Sequence, residues 1–357
     1  GVWTGREEKP FGPHARAILL ASQSVIPRSS GAAAAMSTAA AAAGRGLKSV
    51  SRAAFSWKPT GRAQQTLAAA VSRSGVGLHS GARATARLLP ARAGEGRYFV
   101  LEEARVAAEA GNAEPQSPLC TTLRSGSGGA RVRTVEHLLS AMEAFGVDNC
   151  RVEVSGGDEI PLLDGSAQEW VEAIRGAGLC AAEDIGGQKL EKLAPKIDEP
   201  VYLCKDDCFV AAFPSSQIHI TYGIDFPKAP AIGCQWFNTF LDADIYSSKI
   251  APARTFCIFE EVEKMRGAGL IKGGSLENAM VCSMSGGWLN PPLRFDDEPC
   301  RHKILDLIGD FSLLARNGSQ GFPIAHVVAY KAGHALHTSF LHHLSGETSV
   351  DQGTLAW

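Results

Sequence analysis

Three familiar features are missing from this chain: a disulfide framework, a membrane span and a strong charge of one sign. Its nine cysteines form no Cys-x-x-Cys pair, and the nearest two, Cys204 and Cys208, have no second pair to match them. An odd, scattered set reads as reduced thiols in an intracellular compartment. No apolar run reaches the roughly 18 to 20 residues of a spanning helix. A formal net charge of −2 over 357 residues provides no basic field, which sets aside nucleic-acid partners and nonspecific attraction to anionic membranes. Acids are absent over one long stretch, from after Glu8 to before Glu95. What remains, 45% hydrophobic and 20% charged, is an ordinary globular composition long enough for about two domains.

The acid-free stretch has a pattern of its own. Met36 opens an alanine run, and Arg45, Lys48, Arg52, Lys58 and Arg62 then alternate with Leu47, Val50, Ala54, Phe55 and Trp57. On a helix Arg45, Lys48 and Arg52 share one face, and Leu47, Val50 and Ala54 another. This is the character of an organelle presequence, mitochondrial first and chloroplast second; the alternative is a low-complexity tail without an address. Residues 1–35 read as upstream translated sequence, and 1–61 as presequence outside the fold.

From Gln64 onward short alternating segments, glycine turns and two clear helices predict an α+β fold. Asn149 to Val154 alternates like a half-buried strand. Tyr202 to Phe213 and Gln217 to Phe226 read as an antiparallel pair. Leu179 to Pro200 lacks a period, placing a boundary near Leu190 between domains at 62–188 and 189–345, with a tail at 346–357. No repeated motif is visible.

Thr134 is a good N-cap and Gly146 a good C′ residue, so a helix should run between them with Leu138, Met142 and Phe145 inward and Glu136 and His137 in its first turn. The helix dipole alone accounts for a carboxylate there. A second helix, from about Pro299 to Ala315, turns Ile304, Leu305, Leu307, Ile308, Phe311 and Leu314 to one side. His302, Asp306 and Asp310 fall within about 80° of one another on the other side. A His and an Asp one turn apart suit a zinc site, and a solvated face is the alternative. His326 to Tyr330 reads as a strand leading into Gly333 and His334, with the glycine providing the tight backbone. Thr255 offers a hydroxyl in Ala253-Arg-Thr-Phe256.

These pieces occur together with others in a fixed order. They are Gln65-Thr66-Leu67, Gly75-Val-Gly-Leu-His79-Ser-Gly81, Thr134-Val-Glu-His-Leu138, Asp148-Asn149, Glu159-Ile-Pro161, Asp164-Gly-Ser166, Ala253-Arg-Thr-Phe256, Gly273-Gly-Ser275, Leu293-Arg-Phe295, Glu298, Arg301-His-Lys-Ile-Leu-Asp306, Gly309-Asp310 and Gly333-His-Ala-Leu336. The series resembles the UDP-3-O-acyl-N-acetylglucosamine deacetylase family, the zinc amidases of lipid A biosynthesis, over about 64–344.

The resemblance implies two similar domains, each a layered sheet and helix sandwich, with the site in the cleft between them. It implies Zn²⁺ on His137, His302 and Asp306 with a fourth position open to water, Glu136 as general base, and His334 as cation or acid oriented by Asp310. Thr255 would bind the developing oxyanion. Lys303, Phe256, Gly274 and Ser275 would bind the substrate, UDP-3-O-(3-hydroxyacyl)-N-acetylglucosamine, and an insert over Phe259 to Trp288 would house its acyl chain. A monomer is the family-based expectation. Two departures, Cys257 where the family often has Gly and His337 where Asn is common, are expected to lie away from the chemistry. Alternatives are a zinc amidase with another substrate and a catalytically silent nucleotide-sugar or lipid-binding relative.

Overall fold

The computed structural model describes residues 55–115, 117, 119–126 and 129–345. The upstream segment 1–35, the basic pattern from Arg45 to Ala54 and the tail at 346–357 lie outside them. Residues before 62 take part in the fold. Phe55–Ala63 is a strand antiparallel to Glu191–Ile197, running from Phe55↔Ile197 to Ala63↔Glu191, with Phe55 packed on the core. Phe55 and Trp57 thus belong to a sheet ladder and not to a leader helix, because the strand partner, far away in sequence, decides the local structure.

Five strands form the first sheet: β1 (Val71–Val76), β2 (Arg83–Pro90), β3 (Arg97–Leu101), β4 (Ala104–Ala107) and β5 (Cys150–Ser155). They lie side by side as β1-β2-β5-β3-β4, with β5 antiparallel to β2 and parallel to β3. The second sheet takes β6 (Val201–Lys205), β7 (Cys208–Pro214), β8 (His219–Phe226), β9 (Gly233–Phe240) and β10 (Ala325–Tyr330). Its order is β6-β7-β10-β8-β9, with β10 antiparallel to β7 and parallel to β8.

The two halves therefore share one topology, which the residues themselves do not advertise. What repeats is the order and direction of the strands, while the residues and the lengths of the connections differ. The expected direct pairing of the β7 and β8 segments is absent, since β10 sits between them. Neighbours in sequence lose to a strand that arrives about a hundred residues later.

In the first half α1 (Glu136–Phe145) precedes β5 and α2 (Gln168–Ala177) follows it. The second half carries an insert with α3 (Phe259–Gly267) and three short strands, Phe256–Ile258, Met280–Ser283 and Gly287–Trp288. Then α4 (Glu298–Phe311) precedes β10 and α5 (His334–Ser345) follows it. The fold is α+β, two similar layered halves whose helices meet over one continuous apolar core.

Local chemistry explains the ends of the central helices. Gly146 closes α1 in the left-handed region at φ 70°, as its position suggested. Thr134 is not the N-cap. Val135 takes that place, while Thr134 itself sits at φ 59° with its hydroxyl buried and unpartnered. A β-branched residue there stores about 1–3 kcal/mol of strain at the entry to the helix. Pro299 stands in the first turn of α4, where its missing N–H costs nothing. The helix ends at Phe311, earlier than the Ala315 expected, because Ser312–Leu314 tightens into a 3₁₀ turn. Ile304, Leu305, Leu307, Ile308 and Phe311 are all fully buried, and this apolar side fixes the rotation of α4.

Candidate metal centre and active site

The crossing of α1 and α4 is closer than ordinary side chains allow. A Cβ at Gly309 would lie 2.1 Å from the Glu136 carbonyl oxygen. Gly309 lets the first turn of α1 press onto the last turn of α4, so that Glu136 and His137 of one half reach His302 and Asp306 of the other.

Ligand atoms of His137, His302 and Asp306 lie within 4.8 Å of one another, and all three residues are buried. The Nε2 atoms of His302 and His137 stand 3.4 Å and 3.7 Å from Asp306 Oδ1. For bonds of about 2.0–2.1 Å, neighbouring ligands on a tetrahedral ion lie about 3.3 Å apart, so the three can share one cation. Asp306 Oδ1 is also a buried oxygen without a hydrogen-bond donor. A cation between these groups would satisfy it, and the donor set of two imidazoles and a carboxylate fits zinc.

The surroundings prepare each ligand. His302 Nδ1 donates to the Ala253 carbonyl at 3.0 Å, which turns the Nε2 lone pair toward the cluster. Ala253 is held in turn because Glu298, in the first turn of α4, accepts Arg254 N at 3.0 Å and Arg254 Nε at 2.8 Å. Burial, with His302 close by, pushes His137 down to about 3, so it is present as the neutral imidazole a metal needs. Burial lowers His302 as well. At Asp306 burial acts upward, but Lys303, whose Nζ sits 2.8 Å from Oδ2, and then His302 hold the carboxyl well below its usual range.

Glu136 does not coordinate in this arrangement. Its Oε2 accepts the Thr121 backbone N–H at 2.9 Å, and burial raises its carboxyl well above the ordinary value. A bound cation would act in the opposite sense and favour the carboxylate. His334, the first residue of α5, donates from Nδ1 to Asp310 Oδ2 at 2.8 Å, and its Nε2 lies 3.9 Å from Asp306 Oδ2, facing the cluster. Burial opposes a charge on His334, yet the Asp310 carboxylate overcomes it and pushes the imidazolium up to about 10.

A cavity of about 320 Å³ opens on this cluster. Thr255, Phe256, Gly274, Ser275, Lys303 and His334 line it, together with His302 and Asp306, whereas Asp310 stands behind His334. Much of the apolar lining is drawn from the insert: Ile258, Val262, Met265, Ile271 and Val281. Phe256 packs edge-on against His302 at 6.5 Å and Phe226 at 5.4 Å.

The sequence model of the UDP-3-O-acyl N-acetylglycosamine deacetylase family matches residues 64–346. The chain belongs to this family. Relatives agree over most of their length. The probable UDP-3-O-acyl-N-acetylglucosamine deacetylase 1, mitochondrial, of Arabidopsis thaliana is 56% identical over 297 residues, 81% of this chain and 90% of the relative. The UDP-3-O-acyl-N-acetylglucosamine deacetylase of Trichormus variabilis is 50% identical over 282 residues, 77% of this chain and 95% of the relative. That of Thermosynechococcus vestitus is 48% identical over 278 residues, 77% and 91%.

Within this family member, two residues thought remote from the site are close to it. Cys257 lines the cavity, and burial pushes its thiol up to about 12. His337 is fully buried, with its Nδ1 2.7 Å from Asp310 Oδ2. In the turn before His334, expected to rely on Gly333, the left-handed backbone is at Lys331, φ 51°, and not at the glycine. Thr121 escaped notice altogether, although its N–H holds Glu136 and its hydroxyl donates to Asp310 Oδ1. Nothing in the run Cys120-Thr121-Thr122 marks it, because its partners lie far along the chain.

Proposed function

We propose that this protein is a zinc-dependent deacetylase that hydrolyses the N-acetyl group of UDP-3-O-(3-hydroxyacyl)-N-acetylglucosamine and releases acetate, the deacetylation step of lipid A biosynthesis. The observation that carries this reading is the unpartnered Asp306 Oδ1 between two imidazole Nε2 atoms, in the lining of a largely apolar cavity and beside Glu136 and His334. His137, His302 and Asp306 would hold Zn²⁺, which when bound supplies Lewis acidity and lowers the pKa of water toward about 7.

The chain's own residues do the rest. Glu136, anchored through the Thr121 N–H, takes the proton of the attacking water. Thr255, on the cavity wall, donates to the acetyl oxygen as negative charge develops there. His334 enters as the cation, stabilises that charge and hands its Nε2 proton to the leaving amine, while Asp310 holds its Nδ1. Lys303 offers its ammonium to the substrate's polar head, and Phe256, Gly274 and Ser275, which also line the cavity, contact the bound substrate. The apolar lining from the insert takes the 3-hydroxyacyl chain, and the cavity's volume limits its length.

The protein acts in the mitochondrion, in keeping with the names of its Arabidopsis relatives and the basic, acid-free leader. We place its two domains on either side of residue 189 and read the chain as a monomer. No helix among the described residues is long and apolar enough to cross a membrane.

The test is acetate release by the purified, zinc-loaded chain. Glu136→Ala should retain about one zinc and lose at least about a hundredfold in turnover. Wild-type protein that binds no zinc would overturn the reading.

A further inference from the structure

One buried ring beside the acid has no part in the scheme above. His337 lies three residues after His334 on α5, and the two imidazoles stand at 83° with centroids 6.3 Å apart. Both aim Nδ1 at the same oxygen, Asp310 Oδ2, at 2.8 Å from His334 and 2.7 Å from His337. The other oxygen, Oδ1, accepts the Thr121 hydroxyl. Behind His337, its Nε2 is 3.1 Å from the Tyr222 hydroxyl, which donates to the Ala332 carbonyl at 2.7 Å. The rings of Tyr222 and Phe311 meet His337 edge-on at 6.1 Å and 6.2 Å. His337 therefore has one orientation, and that orientation is spent on Asp310.

The geometry has a clear mechanical sense. The last torsion of an aspartate is broad, so a carboxylate held by a single donor on each oxygen can swing. An acceptor oxygen has two lone-pair directions. Two N–H groups arriving on Oδ2 from rings nearly at right angles occupy both, and rotation then breaks two charge-assisted bonds at once.

We propose that His337 is a positioning residue: its Nδ1–H fills one lone pair of Asp310 Oδ2 and so fixes the carboxylate in the orientation in which the other lone pair holds His334 toward the metal site. The role assigned to His334 rests on the function proposed above, whereas the locking of Asp310 does not depend on it.

Two substitutions separate positioning from packing. In His337→Asn the side-chain amide nitrogen falls where Nδ1 was and still reaches Asp310. In His337→Gln the amide nitrogen falls where Nε2 was, so it keeps the Tyr222 side and abandons Asp310. Both are polar and smaller than or close to the imidazole in size. The first readout is the carboxylate-bound Nδ1–H proton resonance of His334, recorded on zinc-free and zinc-loaded protein and assigned by its loss in His334→Gln. It should persist in wild type and His337→Asn, and shift or broaden through exchange with water in His337→Gln. The second is steady-state kinetics: kcat should fall at least about tenfold in His337→Gln with KM unchanged, and stay within about threefold of wild type in His337→Asn.

A His334 resonance identical in all three proteins overturns the proposal, as does a Gln variant that equals or exceeds the Asn variant. If wild type releases no acetate, the proposed reaction falls, and the resonance still decides whether His337 locks Asp310.

Discussion

Gly309→Ala adds one methyl group where the two halves touch, and its effect follows from distances. The new Cβ would stand 2.1 Å from the Glu136 carbonyl oxygen, 2.8 Å from its carbonyl carbon and 3.0 Å from its Cα. All three are backbone atoms of a helix, so no side chain can swing aside. Ordinary contact begins near 3.4 Å, so α1 and α4 must part by about 1.3 Å. Alanine in a helix interior gains about 0.5–1 kcal/mol over glycine, whereas forcing a packed interface apart costs about 1–3 kcal/mol or more. The clash wins, and the net loss should be about 1–2 kcal/mol.

The larger effect falls on the metal. Widening the 3.7 Å gap between His137 Nε2 and Asp306 Oδ1 by that amount gives about 5 Å, and two zinc bonds of about 2.1 Å cannot span it even in a straight line. Zinc affinity should drop by at least about ten- to a hundredfold, with acetate release falling in step. Competition against a chromophoric chelator measures the first, and urea denaturation measures the stability. Gly309→Ala protein with wild-type zinc affinity and an unchanged urea midpoint would refute the claim that helix spacing sets the site.

Two further outcomes follow from buried charges. Glu143 pairs with Arg97, each side chain 3% exposed, and its other oxygen accepts the N–H groups of Gly321 and Phe322 from the second half at 3.0 Å and 2.8 Å. Glu143→Ala strands a buried guanidinium and should cost about 3–5 kcal/mol in urea unfolding; a loss below about 1 kcal/mol would contradict the pairing. His334 is raised to about 10 in the folded chain against about 6.5 unfolded, so its contribution is full below pH 6.5 and is lost as pH climbs through 10. Metal-free protein should therefore lose about 2–3 kcal/mol between pH 6.5 and 9 by chemical denaturation, and His334→Gln should show no such slope. An equal slope in both proteins would remove His334 as its source.

The chemistry of this protein was more legible than its architecture. His302, Asp306 and Asp310 declare themselves through a helical period, because a helix face is a local property of about four residues. The apolar side of α4 and the Gly146 stop are local too, and both hold in the structure. Thr121 and His337 stayed hidden because what matters about them is a contact 189 or 27 residues away in the chain, and no short pattern encodes it. Strand order failed for the same reason. β10 enters between β7 and β8 only after the insert and α4 have been traversed, and the hairpin expectation has no means of anticipating it. The strand Phe55–Ala63 depends on Glu191–Ile197, a partner equally remote.

Because α1 contributes His137 while α4 contributes His302 and Asp306, an ion bound there is a rivet through a lap joint. Any motion that opens the seam between the halves must first stretch its bonds, so loading with metal should stiffen the whole molecule and not just the cavity. Conversely, whatever loosens the seam far from the centre will be felt as weaker metal binding. The grip on the ion is then a gauge of how well the two halves are clamped.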